Sequence, residues 1–214
     1  MSGCSERCDT SALANIGSCD RPDERRRPLK WPCRLSDGDL ILRPLLRSDK
    51  KKWIALREIN DSWLAPWEAT LPANSREPRI DSYAALLRHL NRQARSSSML
   101  PFAMEFKSEL IGQVTLGAIT FGAMRSANIG YWIDESFTGR GLTTRAVRLL
   151  TEHCFTVLQL HRVEISMRPE NISSQRVAAK AGFSLEGSRD SYIHIDGKWR
   201  DHLTFVRFNP ADER

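Results

Sequence analysis

Hydrophobic and polar positions along this chain alternate with two different periods, which predict strands and helices in direct succession. The run from Asn128 to Ile133 is β-branched and aromatic, and turn-forming residues at 134–136 end it, which is typical of a strand. Beyond a pair of glycines, apolar residues recur every 3.6 positions and predict a long amphipathic helix. Its apolar face carries Leu142, Ala146, Leu149, Leu150, His153, Cys154 and Val157, and its opposite face carries Thr144, Arg145, Arg148 and Glu152.

The remaining patterns predict a mixed α/β sheet flanked by helices. Residues 60–78 contain three prolines and two tryptophans and are interpreted as irregular. Further strands are expected at 39–44, 101–107, 109–119, 161–168, 192–195 and 204–208. Further helices are expected at 48–58, over about 15 residues from Arg79, and from Asn171.

Length and composition fit one folded unit. The chain has 214 residues, of which 41% are hydrophobic, enough for a full core. We expect a flexible N-terminal tail at 1–36, one domain at 37–208 and a short C-terminal tail at 209–214. No apolar run approaches the roughly 20 residues that span a bilayer, and no signal-peptide pattern opens the chain. A cytoplasmic protein without membrane contact is therefore expected.

Cysteine spacing and charge restrict the partners. Four cysteines fall irregularly within the first 33 residues and no histidine precedes His89, so no metal site is expected. The net charge of +6 suits an acidic ligand. Basic residues are mixed with acidic ones, and no RNA-binding motif with interleaved aromatics appears, so most are interpreted as solvated surface. Direct DNA binding is not expected.

The segment Thr138-Gly139-Arg140-Gly141-Leu142-Thr143-Thr144 joins the predicted strand to the long helix. Glycines at 139 and 141 let successive backbone N–H groups point at one place, and the helix N-terminus adds about half a positive charge there. These features suit a phosphate group. The sequence lacks the Gly-Lys-Ser/Thr ending of a Walker loop and the third glycine of a dinucleotide site. Taken alone, the two glycines equally fit a plain loop before a helix.

Six segments stand in a fixed order along the chain: 129–133, 139–142, 161–162, 171–174, 181–187 and 196–202. Together they resemble the GNAT superfamily of N-acetyltransferases, and within it the RimJ and RimL branch, which acetylates the N-termini of ribosomal proteins. A seventh, Trp63-Leu64-Ala65-Pro66-Trp67-Glu68, resembles the RimJ type. The resemblance covers about residues 37–208. It implies a mostly antiparallel sheet, splayed between its fourth and fifth strands, here 127–134 and 161–168.

The resemblance also implies acetyl-CoA as cosubstrate, without a metal, and places its contacts. Backbone N–H groups of Tyr131, Trp132 and Ile133 would hold the acyl and pantetheine arm, and Asn171 would bind the same arm. The pyrophosphate would lie on the loop formed by Thr138, Gly139, Arg140, Gly141, Leu142, Thr143 and Thr144. Thr138 and Thr143 depart from the residue types usual in that loop, but backbone N–H groups are the main phosphate ligands and hydroxyls can add donors.

Catalytic roles are less evident than cofactor contacts. Related enzymes place the Asn-x-x-Ser turn against the pantetheine, so Ser174 could protonate the leaving sulfur, whereas Asn171 could equally act as a helix cap alone. The glutamates that usually serve as base are replaced by Asn128 and Ile193. Glu68 is the best remaining candidate, to hold or deprotonate the amine, although a surface carboxylate fits its position equally well.

Other candidates are weighed in the same way. Glu105 is the second choice for the base. Trp63 and Trp67 could line a peptide-binding wall together with Glu68, or belong to the core. We interpret His153, His194 and His202 as structural.

Three functions remain open. The first is direct transfer of acetyl to the N-terminal α-amine of a protein or peptide, ribosomal in this branch, within a ternary complex. The second is acetylation of a small amine such as a polyamine or an aminoglycoside. The third is a non-catalytic, ribosome-binding assembly protein. The sequence does not distinguish a monomer from a homodimer.

Overall fold

A computed structural model describes residues 31–76 and 80–212, and this part of the chain forms one sheet of eight strands with five α-helices. The strands are β1 (Leu35–Asp37), β2 (Leu40–Arg43), β3 (Leu100–Phe106), β4 (Glu109–Thr120), β5 (Ser126–Ile133), β6 (Arg162–Met167), β7 (Ser184–Ile195) and β8 (Lys198–Phe208). The helices are α1 (Lys50–Ile59), α2 (Asp61–Leu64), α3 (Tyr83–Arg95), α4 (Leu142–Thr156) and α5 (Ile172–Lys180).

The sheet has the order β1-β2-β3-β4-β5-β6-β8-β7, and only the β5–β6 pair is parallel. These two strands pair only through Ser126–Asn128 and Arg162–Glu164. Beyond that point no ladder joins 129–133 to 165–167, so an opening, the splay, separates the two strands. The prediction of a mixed, mostly antiparallel sheet splayed between the strands at 127–134 and 161–168 is confirmed.

Helices cover both faces of the sheet because residues along each strand alternate between them. On β3, Phe102 and Met104 belong to the main core, into which α4 buries its apolar residues. Ala103, between them, faces a smaller cluster with Leu87 of α3, and Trp53 of α1 packs against the same cluster. Helix α4 therefore lies on one face, and α1 and α3 on the other.

The buried face of α4 is wider than the spacing of apolar residues predicted. Thr144, assigned to the polar face, is buried, whereas Val157, assigned to the apolar face, is 62% exposed. Threonines are accommodated because their hydroxyls can bond within the helix, as Thr151 does by donating to the Val147 carbonyl oxygen at 2.8 Å. The assignment of Thr144 and Val157 was wrong because α4 ends at Thr156 and buries additional residues on its flank.

The predicted N-terminal boundary at residue 37 is too late. The Trp31 indole N–H donates to Asn91 Oδ1 at 2.9 Å, and its ring packs edge-on against Phe102 with centroids 5.4 Å apart. Strand β1, which begins at Leu35, pairs with β2. Residues 31–36 therefore belong to the folded unit, and the part of the expected tail at 1–30 lies outside the described residues.

The predicted C-terminal tail also begins too early. Asn209 is buried, and its side-chain N–H donates to the Leu160 carbonyl oxygen at 3.1 Å. Asp212 accepts from Arg125 at 2.5 Å and lies 2.8 Å from His161 Nδ1. Residues 209–212 are thus held against the domain, and 213–214 lie outside the described residues.

Two other regions refine the sequence predictions. The terminal hairpin is longer than expected, since 184–191 and 198–203 extend its two strands. The segment expected to be irregular contains one helical turn, α2. The helix expected from Arg79 begins at Tyr83, where the Ser82 hydroxyl oxygen accepts from the Ala85 N–H, and Arg79 itself lies outside the described residues.

Candidate active site

The loop before α4 presents a row of free backbone donors. Gly139 and Gly141 have φ of +72° and +76°, a left-handed conformation that glycine adopts readily. The first backbone bond of the helix runs from Arg145 N–H to the Gly141 carbonyl. Within the described chain, the N–H groups of residues 139–144 therefore donate to no other backbone group. The prediction of a glycine turn opening a helix is confirmed, and its geometry suits an anion.

The space in front of this loop is open. A Cβ atom built on Gly139 or Gly141 would meet nothing within 4 Å, so the backbone is reachable by a ligand. Arg140 lies at the rim, where its guanidinium stacks 4.8 Å from the Phe137 ring and donates to the Ser136 carbonyl at 2.9 Å. Thr143 and Thr144 are buried in the first turn of α4. The donors available here are thus mainly backbone groups, with Arg140 adding charge.

The splay lies beside this loop and exposes one edge of β5. Because side chains alternate, Tyr131 and Trp132 point to opposite faces of the sheet. Tyr131 turns toward α5, where its hydroxyl donates to the Ser174 carbonyl oxygen at 3.2 Å. Burial raises the pKa of Tyr131 to about 12, so the hydroxyl stays protonated near neutral pH. The backbone of 131–133 borders the opening, as required of the cofactor contacts expected there.

Asn171 and Ser174 open α5 at the same end of the splay. The Asn171 side-chain oxygen accepts from the Ser174 N–H at 3.0 Å, so Asn171 is a helix cap. The Ser174 hydroxyl has no hydrogen-bond partner among residues 31–76 and 80–212. Asn171 therefore has a structural task whatever else it binds, whereas the Ser174 hydroxyl is available to a ligand.

A second group of residues borders β5 on its other face. Trp132 packs edge-on against Trp53 of α1, with centroids 5.3 Å apart, and the Arg57 guanidinium lies 5.1 Å from the Trp132 ring centroid. Arg57 also donates through both terminal nitrogens to Glu68, with Nη2 and Oε2 2.5 Å apart. The Glu68 side chain is 35% exposed. Its carboxylate is thus fixed by a guanidinium yet remains reachable from solvent.

The segment around Glu68, residues 60–70, is anchored at several points, and we call it the acceptor segment. Arg168, just after β6, donates to the Pro66 carbonyl at 2.8 Å and lies over the Trp67 ring at 5.5 Å. At its far end, the Thr70 N–H donates to the His194 carbonyl at 2.8 Å in the terminal hairpin. Trp63 and Trp67 are both half-buried. The segment therefore runs from α1 past the end of β6 to the terminal hairpin.

Asn60 links the acceptor segment to the loop before α4. It is 1% exposed, its side-chain N–H donates to the Leu56 carbonyl, and its side-chain oxygen accepts from the Glu135 N–H at 2.9 Å. The sequence gave no signal for this contact because the two residues lie 75 positions apart. Arg57 and Arg168 were missed for the same reason, since the sequence does not show which residue an arginine will contact in the fold.

Of the remaining candidates, only His194 contacts the acceptor segment, through Thr70. Glu105 stands on β3, two strands away from β5, and accepts from Arg43 Nε at 2.7 Å. His202 is 2% exposed, and burial lowers its pKa. His194 Nδ1 lies 2.8 Å from the Thr70 hydroxyl, and His153 is half-buried with a pKa lowered by burial. The contacts and burial of these four residues are those of structural side chains.

Comparison with known proteins identifies the family to which the chain belongs. The sequence profile of the acetyltransferase (GNAT) domain matches residues 39–184. The chain belongs to the GNAT acetyltransferase family. The resemblance read from the sequence is therefore confirmed. The enzyme is an acetyltransferase.

Among solved structures, the GNAT fold of Mycobacterium smegmatis RimJ in complex with CoA-disulfide is similar with a TM-score of 0.76 and 38% identity. That match covers 83% of this chain and 88% of the other. The chain is 26% identical over 179 residues to the Escherichia coli [ribosomal protein uS5]-alanine N-acetyltransferase, covering 83% and 91% of the two proteins. It is 44% identical over 105 residues to the probable N-acetyltransferase YjcK of Bacillus subtilis, a match spanning 49% of this chain and 58% of YjcK.

A polyamine enzyme is similar as well: the chain is 28% identical over 167 residues to the Escherichia coli spermidine N(1)-acetyltransferase, covering 78% and 84% of the two proteins. Within the described residues, no helix is long and apolar enough to cross a membrane. The same part of the chain contains no cluster of three potential metal ligands.

Proposed function

We propose that this protein transfers the acetyl group of acetyl-CoA to the N-terminal α-amine of a protein, with a ribosomal protein that begins with alanine as the most suitable acceptor. The observation that carries the proposal is the splay, open beside a loop with six free N–H donors on one side and bordered by an anchored acceptor segment on the other. The similar RimJ structure contains CoA-disulfide, and the similar Escherichia coli enzyme is a ribosomal protein uS5 alanine N-acetyltransferase.

The loop and the splay fit the parts of acetyl-CoA. Backbone donors at 139–144, at the positive end of α4, suit the pyrophosphate, and the open edge of β5 suits the amide-bearing pantetheine arm. Gly139 and Gly141 keep the approach clear. Acetyl-CoA supplies an activated thioester, so the protein has to position it, accept a proton from the amine and return a proton to sulfur.

The transfer balances without a covalent enzyme intermediate. The amine nitrogen attacks the thioester carbonyl carbon, a C–N bond forms, and the C–S bond breaks. Ser174, with a free hydroxyl at the start of α5, donates the proton that the departing thiolate takes. Tyr131 holds the Ser174 backbone in place from β5. Proton acceptance on the amine side falls to Glu68, directly or through water.

Glu68 lies on the face of β5 opposite to Ser174. Arg57 fixes its carboxylate, and the same guanidinium lies over the Trp132 ring, which supports a role for Glu68 next to β5. A carboxylate has about four lone-pair sites, so Glu68 can bind an ammonium group while it retains Arg57. Trp63 and Trp67 stand on the same segment and suit the first side chains of a peptide. Family membership favours this catalytic account over a non-catalytic assembly protein.

A small polyamine is the second candidate, because the spermidine enzyme is similar over most of its length. The charges around the acceptor segment oppose it. Arg57 already neutralises Glu68, and Arg168 adds a cation that is only partly balanced by the exposed Glu170, 3.3 Å away. A polycation would meet these guanidinium groups, whereas a peptide presents a single ammonium group followed by neutral backbone.

The test is a competition among acceptors. The full-length protein is incubated with acetyl-CoA and, separately, with a peptide beginning with alanine, the same peptide beginning with serine, spermidine, and an aminoglycoside, while release of free thiol is followed. We expect the highest kcat/KM for the alanine peptide. A higher kcat/KM for spermidine would replace the proposal with the second candidate.

A further inference from the structure

A groove of about 1510 Å³ lies apart from the splay, between α3 and the residues around β1 and β2. None of its lining residues belongs to the loop at 138–144, the splay or the acceptor segment. Its floor includes Pro44, Leu45 and Leu87. Six arginines line it, and we call it the arginine groove: Arg34, Arg43, Arg47, Arg88, Arg92 and Arg95.

Five of these arginines have no carboxylate partner among the residues that the structure describes. Arg43 is half-buried and locked between Asp49 and Glu105, with contacts of 2.7 Å to each. The other five are exposed, and none forms an ion pair with any residue in 31–76 or 80–212. By contrast, Arg57, Arg145 and Arg207 each contact a carboxylate. The groove therefore gathers positive charge that the described chain leaves uncompensated.

The arrangement of these side chains suits a row of phosphates. Arg88, Arg92 and Arg95 stand at spacings of four and three residues, so they share one face of α3 and extend over about 10 Å of its length. Arg34, just before β1, and Arg47, after β2, line the same groove. One guanidinium group can donate two parallel hydrogen bonds to two oxygens of the same phosphate, which favours arginine over lysine for binding phosphate.

The floor of the groove suits bases. Prolines and leucines offer a mostly apolar surface, and Tyr83 is held in place because its hydroxyl donates to the Leu46 carbonyl at 2.6 Å. A positively charged groove with an apolar and aromatic floor is the usual arrangement for a single strand of nucleic acid, whose bases stack while its phosphates face the cations. A flat membrane surface or a stiff duplex would not reach a recessed floor.

Neighbouring sequence extends the same charge. Arg47, which lines the groove, is followed closely by the exposed Lys50, Lys51 and Lys52. Residues 1–30 contain six basic and five acidic residues, so this segment would not neutralise the groove if it lay there. A polyanion from another molecule is the complementary partner.

We propose that the arginine groove binds a single strand of RNA. The choice of RNA over other single strands rests on the proposed function, because a ribosomal protein acceptor is presented next to RNA. Binding there would hold the enzyme on its target while the splay carries out transfer. The sequence gave no RNA-binding motif, because the arginines converge only when α3 packs beside β2.

The test measures binding without acetyl transfer. Fluorescence anisotropy of a labelled oligouridylate of about 12 nucleotides is followed with the full-length protein at several salt concentrations. The triple variant Arg88→Gln/Arg92→Gln/Arg95→Gln is compared with Lys107→Gln/Lys180→Gln/Lys198→Gln, which removes three exposed charges elsewhere. We expect the first to weaken binding at least tenfold and to lower the salt slope by about 2, since each phosphate contact on a single strand contributes about 0.7.

Further variants and ligands test whether the arginine groove prefers single-stranded RNA to other polyanions. We expect Arg88→Lys/Arg92→Lys/Arg95→Lys to bind more weakly than the unmodified protein, and an RNA duplex or polyglutamate to bind more weakly than the single strand. Equal losses in the two triple glutamine variants, or polyglutamate binding as tight as RNA binding, would overturn the proposal. Peptide acetylation is measured on the same variants and should be unchanged, so a failure of the proposed function is seen separately from a failure of RNA binding.

Discussion

The Tyr131 hydroxyl donates a hydrogen bond to the Ser174 carbonyl oxygen, 3.2 Å away, and thereby joins β5 to α5 across the splay. The bond is made to the backbone of Ser174, so it sets the position of the residue and leaves its hydroxyl free. The two strands bordering the splay have no ladder between them at this level. A side-chain bridge therefore holds a place where the sheet itself provides no hydrogen bonds.

Two variants can therefore distinguish the position of Ser174, which Tyr131 sets, from proton donation by the Ser174 hydroxyl. We expect Ser174→Ala to keep the bridge and the stability, but to lower kcat by about 100-fold or more, because it removes the proton donor. Tyr131→Phe should lower stability by about 1 kcal/mol through loss of the bond. Steady-state kinetics and thermal unfolding of both variants check this. Full activity in Ser174→Ala would remove the serine from the mechanism.

The buried tyrosines lead to a prediction of how stability changes at alkaline pH. Burial raises the pKa values of Tyr131 and Tyr83 to about 12, above the value near 10 of an unfolded chain. Between about pH 10 and 12 the unfolded state has lost protons that the folded state retains, so stability should fall as pH rises through this window. Tyrosinate absorbance at about pH 11 should therefore show at least two of the three tyrosines un-ionised in the native protein. Complete ionisation before unfolding would contradict the burial of Tyr131.

The glycine loop offers a comparison at matched backbone geometry. Gly141 and Gly122 both have φ of +76°, and a Cβ atom on either would meet nothing within 4 Å. Alanine at either position should therefore cost a similar strain of about 1–2 kcal/mol. Only Gly141→Ala is expected also to weaken CoA binding, which calorimetric titration measures. Equal CoA affinity in the two variants would show that the loop at 138–144 does not hold the cosubstrate.

Glu68 can be tested beside a neighbour of the same charge. Glu68→Gln should lower kcat/KM for peptide at least about 100-fold, because the amide can neither hold an ammonium group as strongly nor take its proton. Glu58→Gln on α1 removes an exposed carboxylate close by in sequence and should change kcat/KM little. CoA affinity should be the same in both. If the two variants are equally active, Glu68 only anchors Arg57.

The parts of the fold that sequence predicted well depend on local patterns. The strand at 126–133, the turn at Gly139 and Gly141, and the Asn171 cap follow from periodicity, glycine placement and capping preference within about ten residues. The order of motifs then assigned the family. Termini were misjudged because Trp31 and Asp212 are fixed by partners far along the chain, which composition does not reveal.

The candidate site shows the same limit. Loop residues 138–144 could be named because the task proposed for them, holding the pyrophosphate, requires only backbone donors that glycines expose. The clamp of Arg57 on Glu68 and the contact of Arg168 with Pro66 could not, because each depends on how α1 and β6 approach the acceptor segment. The sequence was least informative about the general base, because Asn128 and Ile193 replace the glutamates that usually serve. The assignment of Glu68 as the base is a prediction.

The most direct test of the central claim locates the transferred group. The full-length protein is given acetyl-CoA and a peptide that begins with alanine and also contains an internal lysine, and the product is sequenced by tandem mass spectrometry. The account predicts one acetyl group, on the α-amine of alanine, with release of one equivalent of thiol. Acetyl on the lysine, or no product despite CoA binding, would contradict it.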